Sequence, residues 1–443
     1  MKAIPVLLAV AVAMPALAGE VADSAAADKS VHVSRTSAEI ARILHRSRPH
    51  EKRDIPAPSF AIHTADNSFI LAVGGVINPI MGVDLGNNLY KQGSGIDFTT
   101  SAIPVPATPG HKGDFFINPL QGNVHMQVVG LAGTPDEISA YFKVGSTGGT
   151  SPNIKLKTAT LSWRGITAGL KHTLMSDADA SQPPTIDPEG PNGMLCTTVY
   201  EVGYTTPEFG GGFSVAVGID MPTFYSSNGH YRGHDYPQLD DKPVAEFSDA
   251  DQRIPDIPAW IQYRFSDNNR VRLSAILRNF AYRDLVAGST RHLAGWGVQL
   301  SGNASPDPRL IFYATAAYGR GIGCYLQDIA GLPLSFVPDN AHPGHMTATP
   351  MLGATFGVSY TPTPRLQLNA MASHSHLWDV AAYADALPES QNYRYANYIA
   401  VNAFYNITSY LTWGIEYLWG NRATWNIGSA SDSRIQTQLA FTF

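Results

Sequence analysis

Cations recur along several short stretches of the chain: Lys143, Lys155, Lys157, Lys171, Arg264, Arg272 and Arg278. Most have apolar neighbours in sequence. On an extended chain, where successive side chains point to opposite faces, each cation then lies on a polar face backed by an apolar one. A second group is acidic. Asp177, Asp179, Asp187 and Glu189 fall within thirteen positions, among Pro183, Pro184, Pro188 and Pro191. Basic strand faces and an acidic loop stiffened by prolines can together sort solutes by charge in a water-filled passage. By the same parity Glu201, Asp220 and Glu416 share the polar face. Seven cations against three acids predict a positive potential there and a preference for anions. Neutralising Arg272 and Arg278 is expected to weaken it. The whole chain carries −6, from 30 Lys+Arg and 36 Asp+Glu, so the negative excess is expected in loops.

Bond-making chemistry has little to stand on. There is no G-x-S-x-G elbow, H-E-x-x-H pair or Walker-type loop. His374-Ser375-His376 would put two imidazoles on one strand face, but no third ligand is evident, and the pair is read as packing at a strand end. His342 and His345 have no readable spacing. Cys196, expected on an apolar face, and Cys324, expected in a loop, are too few for a disulfide framework or a zinc cluster. The acidic loop has a calcium-binding alternative, although its spacing does not fit an EF-hand. No catalytic residue, metal or cofactor is expected, and the absence of a basic tract argues against nucleic acid.

The elements that must hold these residues are strands. Val271, Leu273, Ala275 and Leu277 interleave with Arg272, Ser274 and Arg278, and Leu411, Trp413, Ile415, Tyr417 and Trp419 with Thr412, Gly414 and Glu416. Sixteen such segments occur, near 68–82, 121–131, 137–146, 153–163, 165–174, 195–206, 211–221, 257–266, 270–283, 291–301, 308–320, 351–361, 365–376, 393–405, 410–420 and 432–443. Each approaches the roughly 9–11 residues of a tilted membrane-spanning strand. Two are irregular. The first carries Gly74-Gly75 and Pro79. In 153–163 the apolar phase slips between Leu156 and Leu161, through a bulge or a misplaced boundary, which leaves the face of Lys155 and Lys157 open. Long and short connections alternate, eight against seven, as in outer-membrane barrels with external loops and short periplasmic turns. A soluble sandwich would also alternate. Against it stand the aromatics that end the apolar faces, among them Tyr318, Tyr360, Tyr405, Trp419 and Phe443.

Composition agrees. Charged residues make up 15% of the chain, below the roughly 25% of an ordinary soluble domain. Mean hydropathy is only −0.09, and no apolar run after residue 18 is long enough for a membrane helix. Met1-Lys2, the apolar stretch from Ile4 to Met14 and Ala16-Leu17-Ala18 read as a signal peptide over 1–18. Residues 19–60 form an arm, partly helical or disordered, with capping-box spacing in Thr36-Ser37-Ala38-Glu39. Its cations Arg42, Arg46, Arg48, Lys52 and Arg53 read as solvated, or as contacts to anionic lipid or peptidoglycan. The expected fold is all-β: a transmembrane antiparallel β-barrel of about 16 strands over 61–443, with a short periplasmic arm and a pore loop near 175–194.

A more specific signal lies in 165–193. Ala168-Gly169, Ser176-Asp177 and the run Pro184-Thr185-Ile186-Asp187-Pro188-Glu189-Gly190-Pro191-Asn192-Gly193 resemble the DcaP-like trimeric porins of Gram-negative bacteria. Gly414-Ile415-Glu416-Tyr417-Leu418-Trp419-Gly420 and the terminal Phe443 follow the same style. The resemblance implies sixteen strands, a homotrimer, a third loop folded into the pore and uptake of small anionic solutes. Those porins can carry a longer helical arm than residues 19–60 provide. The resulting expectation is a passive outer-membrane porin, surrounded by outer-membrane lipid and lipopolysaccharide, admitting small hydrophilic, dicarboxylate-like anions. The alternatives are a phospholipase-like barrel enzyme and a non-conducting anchor or adhesin.

Overall fold

A computed structural model describes residues 30–47, 58, 60–86, 89, 95–107, 113–119, 121–147, 153–222, 247–249, 254–266, 268–332, 334–339, 342, 344–380 and 392–443. The signal-peptide stretch and Arg48, Lys52 and Arg53 lie outside the described residues.

The arm holds strand β1 (Val31–Arg35), helix α1 (Ala38–Arg46) and strand β2 (Phe60–Thr64). The wall begins with β3 (Phe69–Ile77), continued past Pro79 by β4 (Ile80–Asp84), and then β5 (Asp114–Asn118), continued by β6 (Gly122–Gly130). It proceeds through β7 (Ile138–Thr147), β8 (Asn153–Trp163), β9 (Ile166–His172), β10 (Thr198–Thr205) and β11 (Phe213–Pro222). A short β12 (Phe247–Asp249) pairs with β14 outside the main run. Next are β13 (Ile257–Ser266), β14 (Asn269–Asp284), β15 (Ser289–Asp307) and β16 (Leu310–Arg320). A small hairpin of β17 (Phe336–Pro338) and β18 (Met346–Ala348) sits in the following loop. The wall ends with β19 (Pro350–Thr363), β20 (Leu366–Leu377), β21 (Tyr395–Asn406), β22 (Leu411–Ala423) and β23 (Ser429–Thr442). Counting β3 with β4 and β5 with β6 as single staves gives a closed antiparallel barrel of sixteen strands.

The barrel closes where β23 pairs with both halves of the first stave, Thr442 against Val76 and Arg434 against Asp84. Phe443 N donates to Gly75 O at 3.0 Å, and Gly75 N donates back at 2.9 Å. A Cβ on Gly75 would sit 2.5 Å from Asn123 O and 2.8 Å from the Phe443 ring, so the tight seam requires glycine. The weak patterning of this first strand has that cause.

The wall is apolar outside and polar inside. Leu273 and Leu277 are 51% and 65% exposed, while Arg272 and Arg278 on either side of them are 4% and 5% exposed. A sandwich would bury the leucines and leave the arginines in water. The reverse pattern suits hydrocarbon outside, because charged side chains need polar partners that lipid cannot provide. The phase slip in 153–163 is a bulge. Lys143 faces Thr158 but Val144 faces Leu156, leaving Lys157 as the extra residue. Leu156 and Leu161 therefore both point outward despite their odd spacing, 44% and 52% exposed.

The arm has two strands beside its helix, and one connection is shorter than expected. Strands β1 and β2 extend the sheet beside β3. Helix α1 is capped by Ser37, whose Oγ accepts from Ile40 N at 3.2 Å. The connection expected at 283–290 shrinks because β14 and β15 pair out to Asp284 and Ser289.

Candidate functional site

Segment 173–197, between β9 and β10, turns into the barrel instead of away from it. Leu174 N donates to Glu201 Oε2 at 2.9 Å, and Ser176 Oγ to Leu195 O at 2.6 Å, which bends the chain inward at the strand end. Asp177 then meets the wall at β14 and β15. Its carboxylate accepts from Arg270 at 2.5 and 3.0 Å and from Ser301 Oγ at 2.6 Å, with Arg272 3.7 Å away. Burial would raise its pKa, but the Arg272 and Arg270 guanidiniums and these hydrogen bonds outweigh burial and hold it well below the usual carboxylate range. Asp179 is 3.6 Å from Arg270, and its carbonyl accepts from Asn303 Nδ2. A one-turn helix α2 (Ala178–Ser181) leads on to Pro183, packed where Gly357 has no side chain.

The middle of the loop is moored to β21 and β22. Glu416 accepts from Thr185 Oγ1 (2.6 Å), Ile186 N (3.1 Å), Asp187 N (2.9 Å), Asn402 Nδ2 (2.7 Å) and Gln436 Nε2 (2.9 Å). Asp187 accepts from Phe98 N at 3.0 Å and Tyr398 OH at 2.9 Å. Burial first, then Glu416 and Asp97, push the Asp187 carboxyl up to about 7. The loop returns over β19 and β20. Gly193 N donates to Ser373 Oγ at 2.7 Å, and a Cβ on Gly353 would lie 2.4 Å from Gly193 O.

Other segments fill the same side. Arg434 binds Asp84 at 2.6 Å and the Ile96 carbonyl at 2.8 Å, and Arg422 donates to the carbonyls of Ser101 and Ile103. Met175, Leu195, Tyr325, Leu326, Leu334 and Val337 belong to one apolar cluster within the barrel. Part of the interior is therefore a packed core. Leu326 pairs with Leu195, tying segment 321–349 to the inward loop.

The seven cations expected on the polar face do not have equal surroundings. Arg272 is buried, with Gln262 Oε1 at 2.9 Å and the Trp260 ring at 4.5 Å. Arg278 is buried against Asp256 at 2.9 Å and stacks on Phe280 and Tyr325. Lys171 is buried against Glu201 at 2.5 Å. These three project inward beneath protein. Arg264 lies near the short-turn end, 3.8 Å from Glu208. Lys143, Lys155 and Lys157 remain together on β7 and β8. Lys157 feels the charges of Lys143 and Lys155 on its own wall and of Asp97 and Glu189 across from it. Burial pushes Asp97 up to about 6, against the pull of Lys157 and Arg434. Burial, with Asp97 and Asp187 nearby, pushes the partly buried Glu189 well above the usual range. The arrangement can impose a transverse field, positive at the lysine wall and negative at the loop when its acids are ionised.

Arg270, Arg422 and Arg434 were missed in the sequence reading. Each has the parity of a residue already on the polar face: Arg270 with Arg272, Arg422 with Glu416, Arg434 with Gln438. The signal was available: Arg270 and Arg434 fall inside the expected strands 270–283 and 432–443, and Arg422 lies two residues beyond 410–420. His374 and His376 share the outer face, with rings 5.9 Å apart. His374 contacts Asn397 Oδ1 at 2.9 Å, and His376 stacks on Tyr395. Cys196 precedes β10 rather than lying in it, with Sγ 3.4 Å from His172 Nδ1. Cys324 is buried, and the two cysteines form no disulfide with each other.

No protein-family profile and no curated protein matches the chain by sequence. Solved structures do match. The outer-membrane channel DcaP of Acinetobacter baumannii aligns with a TM-score of 0.67 at 15% identity, covering 86% of this chain and 99% of that one. OmpF of Salmonella typhi (TM-score 0.48, 11% identity, 85% and 99% covered) and OmpT of Vibrio cholerae (0.49, 8%, 85% and 98%) align too weakly to carry an argument. With its sixteen staves, apolar outer band and inward third loop, the chain has the fold of the outer-membrane porins in its DcaP-like form.

Proposed function

We propose that the protein is a passive outer-membrane porin, assembled as a homotrimer, that admits small hydrophilic solutes with a preference for anions of the dicarboxylate type. One observation carries the reading. Lys143, Lys155 and Lys157 form a basic wall that faces the acidic rim of Asp97 and Glu189, while the other inward arginines are occupied in holding loops. A dianion crossing this gap meets cations on one side and, on the other, carboxyls whose raised pKa values reduce their repulsion. Diffusion down a gradient needs no cofactor. The homotrimer rests on the likeness of the 165–193 segment to the DcaP-like porins. The loop acids Asp177 and Asp187 are matched to guanidinium, hydroxyl and backbone donors, which favours a pore loop over a calcium site.

The test is planar-bilayer recording with reversal potentials under a KCl gradient, followed by competition with succinate. A chloride preference and a succinate-dependent fall in chloride current support the proposal. Selectivity of several-fold for potassium would remove the anion claim. An absence of conductance would remove the porin and favour the anchor, and lipid hydrolysis by the purified protein would favour the enzyme.

A further inference from the structure

The arm does not hang clear of the barrel. On α1, Ile40 and Leu44 are 1% and 0% exposed, packed on Ala61, Ile70, Ala72 and Val129. The wall residues among these point inward. Their neighbours Val73 and Val124 point outward and are 48% and 44% exposed. Polar contacts fix the same docking. Gln127 Nε2 donates to Leu44 O at 2.7 Å and Ser139 Oγ to Ser47 O at 3.1 Å. Arg46 pairs with Glu137 at 2.5 Å, and Glu137 also accepts from Ser47 Oγ at 2.9 Å and Gly133 N at 2.8 Å. Glu137 sits in the short turn between β6 and β7, so the C-terminal end of the helix is tied to the short-turn mouth of the barrel.

A cavity of about 490 Å³ opens beside that end. It runs from Arg46 and Glu137 past Ser139 and Ser162 to Lys171 and Glu201, directly beneath the root of the inward loop at Leu174. A helix with side chains is about 10 Å across. Seated on the inner wall, it closes the part of the mouth under β3, β6 and β7 and leaves the polar cleft as the way out.

We propose that α1 is a fixed second narrowing of the permeation path and that Arg46 is a specificity-determining residue at the exit. This rests on the porin reading and extends it: solutes that pass the lysine wall leave through the cleft beside α1, where a half-exposed guanidinium favours anions.

The experiment records single channels of the full-length protein in planar bilayers. The double variant Ile40→Asn/Leu44→Asn removes the apolar docking without touching a barrel hydrogen bond. Its conductance is expected to rise on the order of twofold as the helix leaves the mouth. Arg46→Gln keeps the buried face of the helix and is expected to move the reversal potential toward potassium. If the double variant fails to insert, Arg46→Gln decides alone, and a reversal potential equal to that of the unaltered protein overturns the proposal. Unchanged conductance in an inserted double variant overturns it too. A silent unaltered protein would instead defeat the porin reading itself.

Discussion

Arg270 grips Asp177 through two hydrogen bonds, 2.5 and 3.0 Å long, and both side chains are buried between loop and wall. Breaking a buried pair by removing one partner strands the other charge and costs about 3–5 kcal/mol. Asp177→Ala is therefore expected to release segment 173–197 while leaving the wall folded. Single-channel conductance should rise and become noisier. A trace identical to that of the unaltered protein would show that the clamp does not set the position of the loop.

The lysine wall and the buried arginines make opposite predictions. Replacing Lys143, Lys155 and Lys157 together by Gln should lower the chloride-to-potassium permeability ratio with little effect on heat stability. Arg278→Gln should do the reverse, lowering stability with a smaller change in selectivity, because Arg278 is buried against Asp256 and Tyr325. Reversal potentials and thermal unfolding in detergent check both halves.

Asp97 and Asp187, raised to about 6 and about 7, titrate near neutrality. Both are neutral at pH 4.5 and largely ionised by pH 8, so anion preference should fall as pH rises between them. Linkage has the same direction. A carboxyl whose folded pKa is raised contributes stability that is complete below its unfolded pKa near 4 and disappears as pH rises through the folded value. Loop docking should thus weaken over pH 4 to 8. Reversal potentials recorded across that range, and the same series in Asp187→Asn, provide the check; a flat profile in both would count against these groups.

Gly353 lies where the returning loop touches the wall, and a Cβ there would come within 2.4 Å of Gly193 O and Leu326 Cδ1. Since backbone cannot yield as a side chain can, Gly353→Val is expected to push the loop off β19 and raise conductance, with the barrel still resistant to denaturation in unheated gel samples.

Strand number, order and sidedness were legible because each wall strand stands between two solvents, and alternation such as Leu273-Ser274-Ala275 records both of them. The bulge at Lys157 was visible as a slip but could not be assigned until Lys143 and Thr158 were seen to pair. Charge pairing was the hidden part. Parity says that Arg272 and Arg278 point inward, but not that loop residues 70 to 100 positions distant would cover one of them. Long-range contacts such as Asp177–Arg270 and Asp187–Tyr398 leave no local pattern. The role of the arm was illegible for the same reason: α1 looks like any short amphipathic helix until its apolar face meets Ile70 and Val129.

Strand β13 starts at Ile257, opposite Leu277, and β16 ends at Arg320, opposite Trp296. Beyond those points β14 and β15 continue as a hairpin to Asp284 and Ser289, with β12 paired along the outer end of β14. Seven further residues on each side, at roughly 3.4 Å apiece, raise its tip by about 24 Å along the strand. Leu285 and Val286, 39% and 55% exposed, crown that tower. An antibody or phage that contacts Leu285 and Val286 would therefore meet the end of a hydrogen-bonded ribbon rather than a pliant loop.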